Sequence, residues 1–327
     1  MSDVIAQGRE LEAYSRVINA SPGRLIAALR YFGHCPELEL CVSHPGRTVG
    51  SLASLEVGSQ RICHMTSRVP FCLCGRKSAG RTLMMVRSGE LLLEQEGAHR
   101  ELGPGALVLL GSREKIAVRA SSETNVILIQ LPASETLEAV GTGPVAAARK
   151  MVPLVEHYLA ASRYFRNHSQ AVSETCALTD RLLLCLRDPS VECHPTPAAP
   201  DDERALKALA WMRSRPHWKF NLQELAGVAG ASRRNLYYLM KAETGMTPYQ
   251  FYQRCRLLRF RDALITCSRP DPKISWHASS EGFTHLGRFA SLYREHFGEL
   301  PSETLCWLNQ LNPAPVSCPV EACLTSD

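Results

Sequence analysis

The chain has 327 residues, 45% of them hydrophobic, with a formal net charge of +5. That length gives room for two or three domains that each bury a core, and the composition excludes a fibrous or wholly disordered protein. The longest apolar runs, such as NVILIQL and RLLLCL, fall well short of the roughly 20 residues of a membrane span. The opening MSDVIAQGRELEAY is polar with mixed charge, so a soluble, cytoplasmic protein with no export signal and no membrane partner is expected.

In chain order, VIAQGRELEAYSRVINA and SPGRLIAALRYF read as one or two helices, the second opened by Ser21 with Pro22 at its first position. From about 47 to 132 the texture is short strands and turns: TVGSLASLEV, SQRICHM, PFCLCG, RTLMMVRSGELLLEQEG, ALVLLGS, KIAVRA and NVILIQL, rich in Val, Ile, Leu and Thr and broken by Gly and Pro at hairpin spacing. This predicts an antiparallel barrel or sandwich of the cupin-like, jelly-roll kind. Gly103-Pro104-Gly105 is its tight turn before the buried run ALVLL.

Two chemistries are testable within those strands. A catalytic metal cupin would need His-x-His, then Glu and a later His, whereas only the isolated His64 and His99 are available, so no catalytic residue is assigned. The 13 cysteines, an odd number in a long chain, predict reduced thiols rather than a disulfide framework. Cys63, His64, Cys72 and Cys74 form a Cys-His-x7-Cys-x-Cys pattern that could serve zinc or thiol redox chemistry. Paired zinc cysteines are usually at least two residues apart, although Cys72 and Cys74 share a face in a strand. Small core residues are the simpler reading, and no metal or other cofactor is expected.

Helical texture returns over 134–187. Met151, Leu154, Val155, Tyr158 and Leu159 form one apolar stripe, and Leu178, Leu182, Leu183 and Cys185 another. Both suit packing on the barrel, and the second also suits a contact in a homodimer. The Pro-rich DPSVECHPTPAAPDDE marks a linker.

The positive charge lies beyond that linker: residues 201–300 hold 16 Lys+Arg against 10 Asp+Glu, a balance of +6, leaving 21 against 22 elsewhere. A basic helical module attached to a neutral remainder is the footprint of a DNA reader with a separate control domain. Asn221 caps one helix with Glu224 three residues on, Gly230 supplies the turn, and Ser232 caps RRNLYYLMKAETG, which closes at Gly245. Helix, short glycine turn, helix is the unit whose second member enters the major groove. Leu236, Leu239 and Met240 face the core, so Arg234, Tyr238 and Lys241 face outward with Tyr237 on their flank.

Thr247 and Pro248 then open the long helix YQFYQRCRLLRFRDALIT, with Pro270 and Pro272 after it. A second unit follows, KISWHASS, Glu281-Gly282-Phe283 and THLGRFASLYREHFG. In its last helix Phe289, Tyr293, His296 and Phe297 face inward, leaving Gly287, Ser291 and Arg294 outward and Arg288 at the edge.

Through LQELAGVAGASRRNLYYLMKAETGMTP, RLLRFRDAL, EGF and GRFASLYREHFGELPSETL, about a hundred residues, the chain resembles the AraC/XylS family of bacterial transcription regulators. The resemblance implies two recognition helices in successive major-groove segments about one helical turn apart. It implies base reading by Arg234, Tyr237 and Tyr238 in one half-site and by Arg288 and Ser291 in the other. Arg233, Lys241, Arg256 and Arg294 are the expected phosphate contacts. His277, beside Trp276, stands where the family usually has an apolar residue, and Leu286 and Gly287 stand at often-polar positions. Weaker sequence reading by the second unit, with more shape readout, is therefore expected. GELLLEQEGAHRELGPGALVLLGS is similar in texture to the ligand-binding domain of the XylS-like branch, which implies a small-molecule sensor. If strands place them inward, His64, Cys72, Cys74, Met84 and Val86 would touch that effector.

The expected fold is α+β and multidomain. Residues 1–187 form a cupin-like β domain (core about 47–132, helices 134–187) for effector sensing and dimerisation, and 188–202 form the linker. Residues 203–310 form an all-α DNA-binding domain of two helix-turn-helix units joined by a long helix, and 311–327 a disordered tail. The expected function is sequence-specific, effector-responsive transcription activation, with duplex DNA, the effector, RNA polymerase and a second copy as partners. The alternatives are a metal- or thiol-responsive regulator using Cys63, His64, Cys72 and Cys74, and an enzyme, either a cupin or an alkyl-transfer DNA repair protein, fused to the same module. A nonspecific architectural DNA binder fits less well, since a large neutral β domain adds nothing to phosphate binding.

Overall fold

The computed structural model describes residues 8–42, 48–76, 80–95, 97–133, 140–191, 202–267 and 272–311. Most of the expected linker and nearly all of the expected tail lie outside these residues. The chain forms two compact units, one of residues 14–156, 175–194 and 307–327, the other of residues 1–13, 157–174 and 195–306. No helix among the described residues is long and apolar enough to cross a membrane.

The first unit is built on two antiparallel sheets. Its elements are β1 (Ser15–Ala20), α1 (Pro22–Gly33), β2 (Glu39–Val42), β3 (Gly50–Val57), β4 (Gln60–Ser67), β5 (Phe71–Arg76), β6 (Thr82–Ser88), β7 (Leu91–Gln95), β8 (Ala98–Leu102), β9 (Leu107–Leu110), β10 (Lys115–Ala120), β11 (Thr124–Gln130) and β12 (Gly143–Pro144). One sheet has the order β1-β3-β4-β11-β6-β9-β12 and the other β2-β5-β10-β7-β8. The core lies between them, where alternate residues such as Leu52, Met65, Phe71, Leu73, Met84 and Val118 are buried because strand side chains point to opposite faces with period two.

Three departures from the sequence reading have physical causes. SRVINA, read as the end of a helix, is strand β1, paired with β3 from Ser15 to Ala20, because Val17 and Ile18 suit a pleated surface and the pairing outweighs a weak helical pattern. Strand β8, AHREL, is polar and lies at a sheet edge, so it carries no apolar alternation to read. Helix α1 does begin with Pro22 in its first turn, but Ser21 makes no side-chain cap bond.

Helices α2 (Ala148–Ser162) and α3 (His168–Arg187) follow the strands. The stripe residues Met151, Leu154, Val155, Leu178, Leu182 and Cys185 are buried, and in the first unit Thr179 of α3 donates to Gln60 Oε1 of β4 at 2.6 Å.

The second unit contains α4 (Glu203–Ser214), α5 (Leu222–Ala229), α6 (Arg233–Thr244), α7 (Pro248–Thr266), α8 (Ile274–Ser280), α9 (Leu286–Phe297) and the start of α10 (Pro301–Gln310). Several of these boundaries have a chemical cause. Asn221 accepts from the backbone of Gln223 and Glu224, Ser232 from Asn235, and Thr247 forms a reciprocal capping box with Gln250. Such caps satisfy helix N–H groups that have no partner within the helix. Gly245 and Gly298 end α6 and α9 with φ of 69° and 79°, a left-handed cap that glycine adopts without strain. At Gly298 a Cβ would also lie 2.7 Å from the His168 ring.

Candidate nucleic-acid interface

The first helix-turn-helix unit is fixed by one apolar cluster. Ala208, Leu209 and Met212 of α4, Leu225, Ala226 and Ala229 of α5, Leu236 and Met240 of α6, and Phe251 and Cys255 of α7 pack together with Met246. With that side of α6 inward, its other side is set by the helical period. Arg233, Arg234 and Lys241 are exposed, as are Tyr237 and Tyr238. The Arg234 guanidinium lies 5.9 Å from the Tyr238 ring centroid, and the two tyrosine rings meet edge to face at 6.0 Å. Five of the predicted interface side chains thus share one basic, aromatic face. Leu239, read as core, is half-buried at its edge.

In the second unit Phe289, Tyr293, His296 and Phe297 are buried, with Phe260 of α7 against Phe289 at 4.6 Å and Tyr293 at 5.6 Å. Arg288, Ser291 and Arg294 are exposed on α9. Trp276 is exposed and stacks edge-on against His277, whose ring faces Phe260 at 6.5 Å. Arg256 is placed differently from the other expected phosphate contacts. It is half-buried, donates through Nε to the Glu281 carbonyl at 2.6 Å and lies over the Phe283 ring at 4.2 Å, so it fastens the turn after α8 to α7.

Sequence reasoning missed a buried ion cluster beneath this scaffold. Glu12 Oε1 meets Arg254 Nη1 at 2.5 Å, and Glu12 Oε2 meets Arg213 Nη1 at 2.9 Å. Arg254 also donates to the Phe165 carbonyl at 3.2 Å. Burial works to raise the Glu12 carboxyl, but the Arg254 and Arg213 guanidinia outweigh it and hold the group at about 2. Nearby Glu10 pairs with Arg163 at 2.9 Å, Arg9 pairs with Asp262, and the Leu11 amide donates to Ser162 Oγ at 2.9 Å. A second buried arginine, Arg261, meets Glu299 at 2.7 Å and Tyr293 Oη at 2.8 Å. His296 is buried and held neutral, its imidazole pushed down by that burial, and then by Arg254, to about 3.

The two sheets of the other unit enclose a cavity of about 100 Å³ beneath α1. Its walls are apolar, including Leu52, Met65, Phe71, Leu73, Met84 and Val126, and its polar edge is Arg61, Thr82 and Gln130. Arg61 is 5% exposed; it donates to Gln130 Oε1 at 3.0 Å and pairs with Glu56 at 3.2 Å, while its Nε has no hydrogen-bond partner.

Of the five residues expected to face an effector, Met84 lines this cavity, and Val86 is buried on the same face of β6 beyond the lining. The other three are corrected by a one-residue register slip. In β4 the lining residues are Arg61, Cys63 and Met65, and in β5 they are Phe71 and Leu73. His64 points away and pairs with Asn125 Oδ1 at 2.9 Å. Cys72 and Cys74 edge a separate hollow of about 40 Å³ with Glu94, His99 and Arg119. The Cys63, His64, Cys72 and Cys74 cluster is therefore divided between two sheets. Cys63 bonds Ser54 Oγ at 3.4 Å and burial pushes its thiol up. No group of three or more His, Cys, Asp or Glu among the described residues is placed to hold a metal.

Comparisons with known proteins agree with the helical geometry. A helix-turn-helix domain model matches residues 225–305. The XylDLEGF operon transcriptional activator 2 of Pseudomonas putida is 41% identical over 85 residues, 26% of this chain and 54% of that one; the chain thus spans about half the length of that relative. The XylDLEGF operon transcriptional activator 1 of Pseudomonas putida is 27% identical over 239 residues, 68% of this chain and 74% of that one. Among solved structures, the AraC-like transcriptional activator CuxR aligns with a TM-score of 0.39 and 15% identity over 72% of this chain and 91% of that one. A helix-turn-helix domain thus occupies residues 225–305, and the chain is similar to the XylDLEGF operon transcriptional activators.

Proposed function

We propose that the protein is a sequence-specific DNA-binding transcription activator whose β unit takes a small-molecule effector. The carrying observation is the outward face of α6, where Arg233, Arg234, Tyr237, Tyr238 and Lys241 are exposed together above a packed core. Arginine and tyrosine at this position suit base edges, and a flanking lysine or arginine suits phosphate. In this reading Arg234, Tyr237, Tyr238, Arg288 and Ser291 meet bases, while Arg233, Lys241 and Arg294 meet phosphates. RNA polymerase and a second copy of the chain are its proposed partners, and residues 203–310 its DNA-binding domain beyond a linker at 188–202.

Arg234→Ala is expected to weaken binding to a selected duplex by about 1–3 kcal/mol and to relax preference at particular base pairs. Fluorescence anisotropy on matched and mismatched duplexes checks this, and an unchanged affinity and preference would remove α6 from the groove.

The sensor reading rests on the apolar cavity and on Arg61, whose buried Nε calls for an acceptor. Met84→Trp is expected to fill the space and abolish the effector's influence, while DNA binding without effector stays within about twofold, because the cavity and the recognition helices belong to different units. The effector would first be found among small apolar oxygen-bearing compounds by thermal shift. A Met84→Trp protein with an unaltered dose response would refute the cavity as the sensor.

A further inference from the structure

The two recognition helices share one frame but present different chemistry. With Gly245 and Gly298 aligned, the buried Leu236 and Met240 of α6 correspond to the buried Phe289 and Tyr293 of α9. In the same register Leu286 replaces Arg233, Gly287 replaces Arg234, Ser291 replaces Tyr238, and Arg294 replaces Lys241. Where α6 offers guanidinium and phenol groups, the first turn of α9 offers an aliphatic side chain beside bare backbone. Leu286 is 46% exposed, and nothing lies within 4 Å of the place a Cβ on Gly287 would take. Ser291 turns its hydroxyl back to the Gly287 carbonyl at 3.2 Å.

We propose that Leu286 is a specificity-determining residue that reads the C5-methyl of a thymine in the second half-site. The inference rests on the DNA-binding reading above. A recognition helix brings its N-terminal residues closest to the base edges; from this position the long Arg233 side chain of α6 can extend to a phosphate, whereas the short apolar Leu286 of α9 gains only by covering an apolar group on a base edge. The thymine methyl is the apolar group displayed there, and covering it removes both surfaces from water. Gly287 lets the turn approach without a side chain in the way. Arg294, one face along, supplies the charge complement for a phosphate, and Arg288 remains the donor for a neighbouring base.

The test uses the full-length protein and duplexes it enriches from a random pool. Each thymine of the enriched site is replaced by deoxyuridine, which removes the methyl and keeps the hydrogen-bonding pattern. In the half-site whose preference Arg234→Ala leaves intact, one such replacement is expected to weaken binding about fourfold. The same replacement is expected to have no effect on Leu286→Ala, whose affinity for the parent site should equal that of the wild type for the deoxyuridine site. Leu286→Arg, which replaces the apolar contact with a guanidinium, is expected to abolish the preference for thymine over deoxyuridine there. Because Leu286 is exposed, both variants should melt with the wild type, so lost binding would not report unfolding. Indifference to every methyl, or a methyl effect of equal size in Leu286→Ala, overturns the proposal and leaves the DNA-binding reading standing. A pool in which no sequence is enriched overturns both.

Discussion

Glu12→Gln is expected to destabilise the helical unit by about 3–5 kcal/mol, the cost of leaving buried charge without its partner. The side chains of Glu12, Arg213 and Arg254 are 5%, 11% and 1% exposed, so one carboxylate answers two guanidinia that water barely reaches. Glutamine keeps the shape and removes the charge. Urea unfolding followed by circular dichroism checks the loss, and Arg254→Met in the same background should recover part of it. A change below about 1 kcal/mol would show that the cluster is solvated in practice.

The same cluster sets an acid limit. The Glu12 carboxyl titrates near 4.5 when unfolded and at about 2 when folded, so its contribution is complete above pH 4.5 and is lost as pH falls toward 2. The His296 imidazole is lowered from 6.5 to about 3. The unfolded chain therefore binds a proton that the folded one refuses, and stability erodes from pH 6.5 down to 3. Melting temperature is expected to decline below pH 6.5 and more steeply below 4.5, with Glu12→Gln losing only the steeper part.

Arg261→Ala is expected to cost a similar amount, about 3–5 kcal/mol, but in the second helix-turn-helix unit. Arg261 is 1% exposed in its side chain, bonds Glu299 and Tyr293, and lies 4.8 Å from the Phe297 ring centroid. One planar cation thus ties α7 to α9 by hydrogen bond and ring contact and to the turn after α9 by charge. Lysine lacks the planar fork and the stacking surface, so Arg261→Lys should recover less than half of the loss. Hydrogen exchange locates the effect: amides of α8 and α9 should lose protection while those of α5 and α6 keep it. Uniform loss across the unit would refute that localisation.

What could be read from the chain followed the range of the interactions. Asn221, Gly230, Ser232 and Gly245 act on backbone within four residues of themselves, so their caps and turns were legible, and with them the outward face of α6. The inward register of β4 and β5 was not, because both faces of these strands hold residues that sequence alone cannot rank: Cys63 beside His64, Leu73 beside Cys74. Helix α7 concealed its organisation for another reason. Its buried face is wide, with Leu257, Phe260 and Leu264 beside Phe251, Leu258 and Ile265, and arginines hold two of the inner positions, so no single apolar stripe marks its inner face. Two of its arginines, Arg254 and Arg261, lie in the core. Their carboxylate partners, Glu12 above all, stand at separations no local pattern encodes.

That separation has a consequence for how the protein is made. Glu12 and Arg254 are 242 positions apart, and at about 5–20 residues per second a ribosome needs roughly 12–50 s to join the second to the first. Throughout that interval the Glu12 carboxylate must stay hydrated, while the strands between Ser15 and Gln130 are already available to pair. A nascent chain halted before Arg254 can hold a finished pair of sheets, but its helical unit still lacks the second of the two guanidinia that Glu12 pairs with.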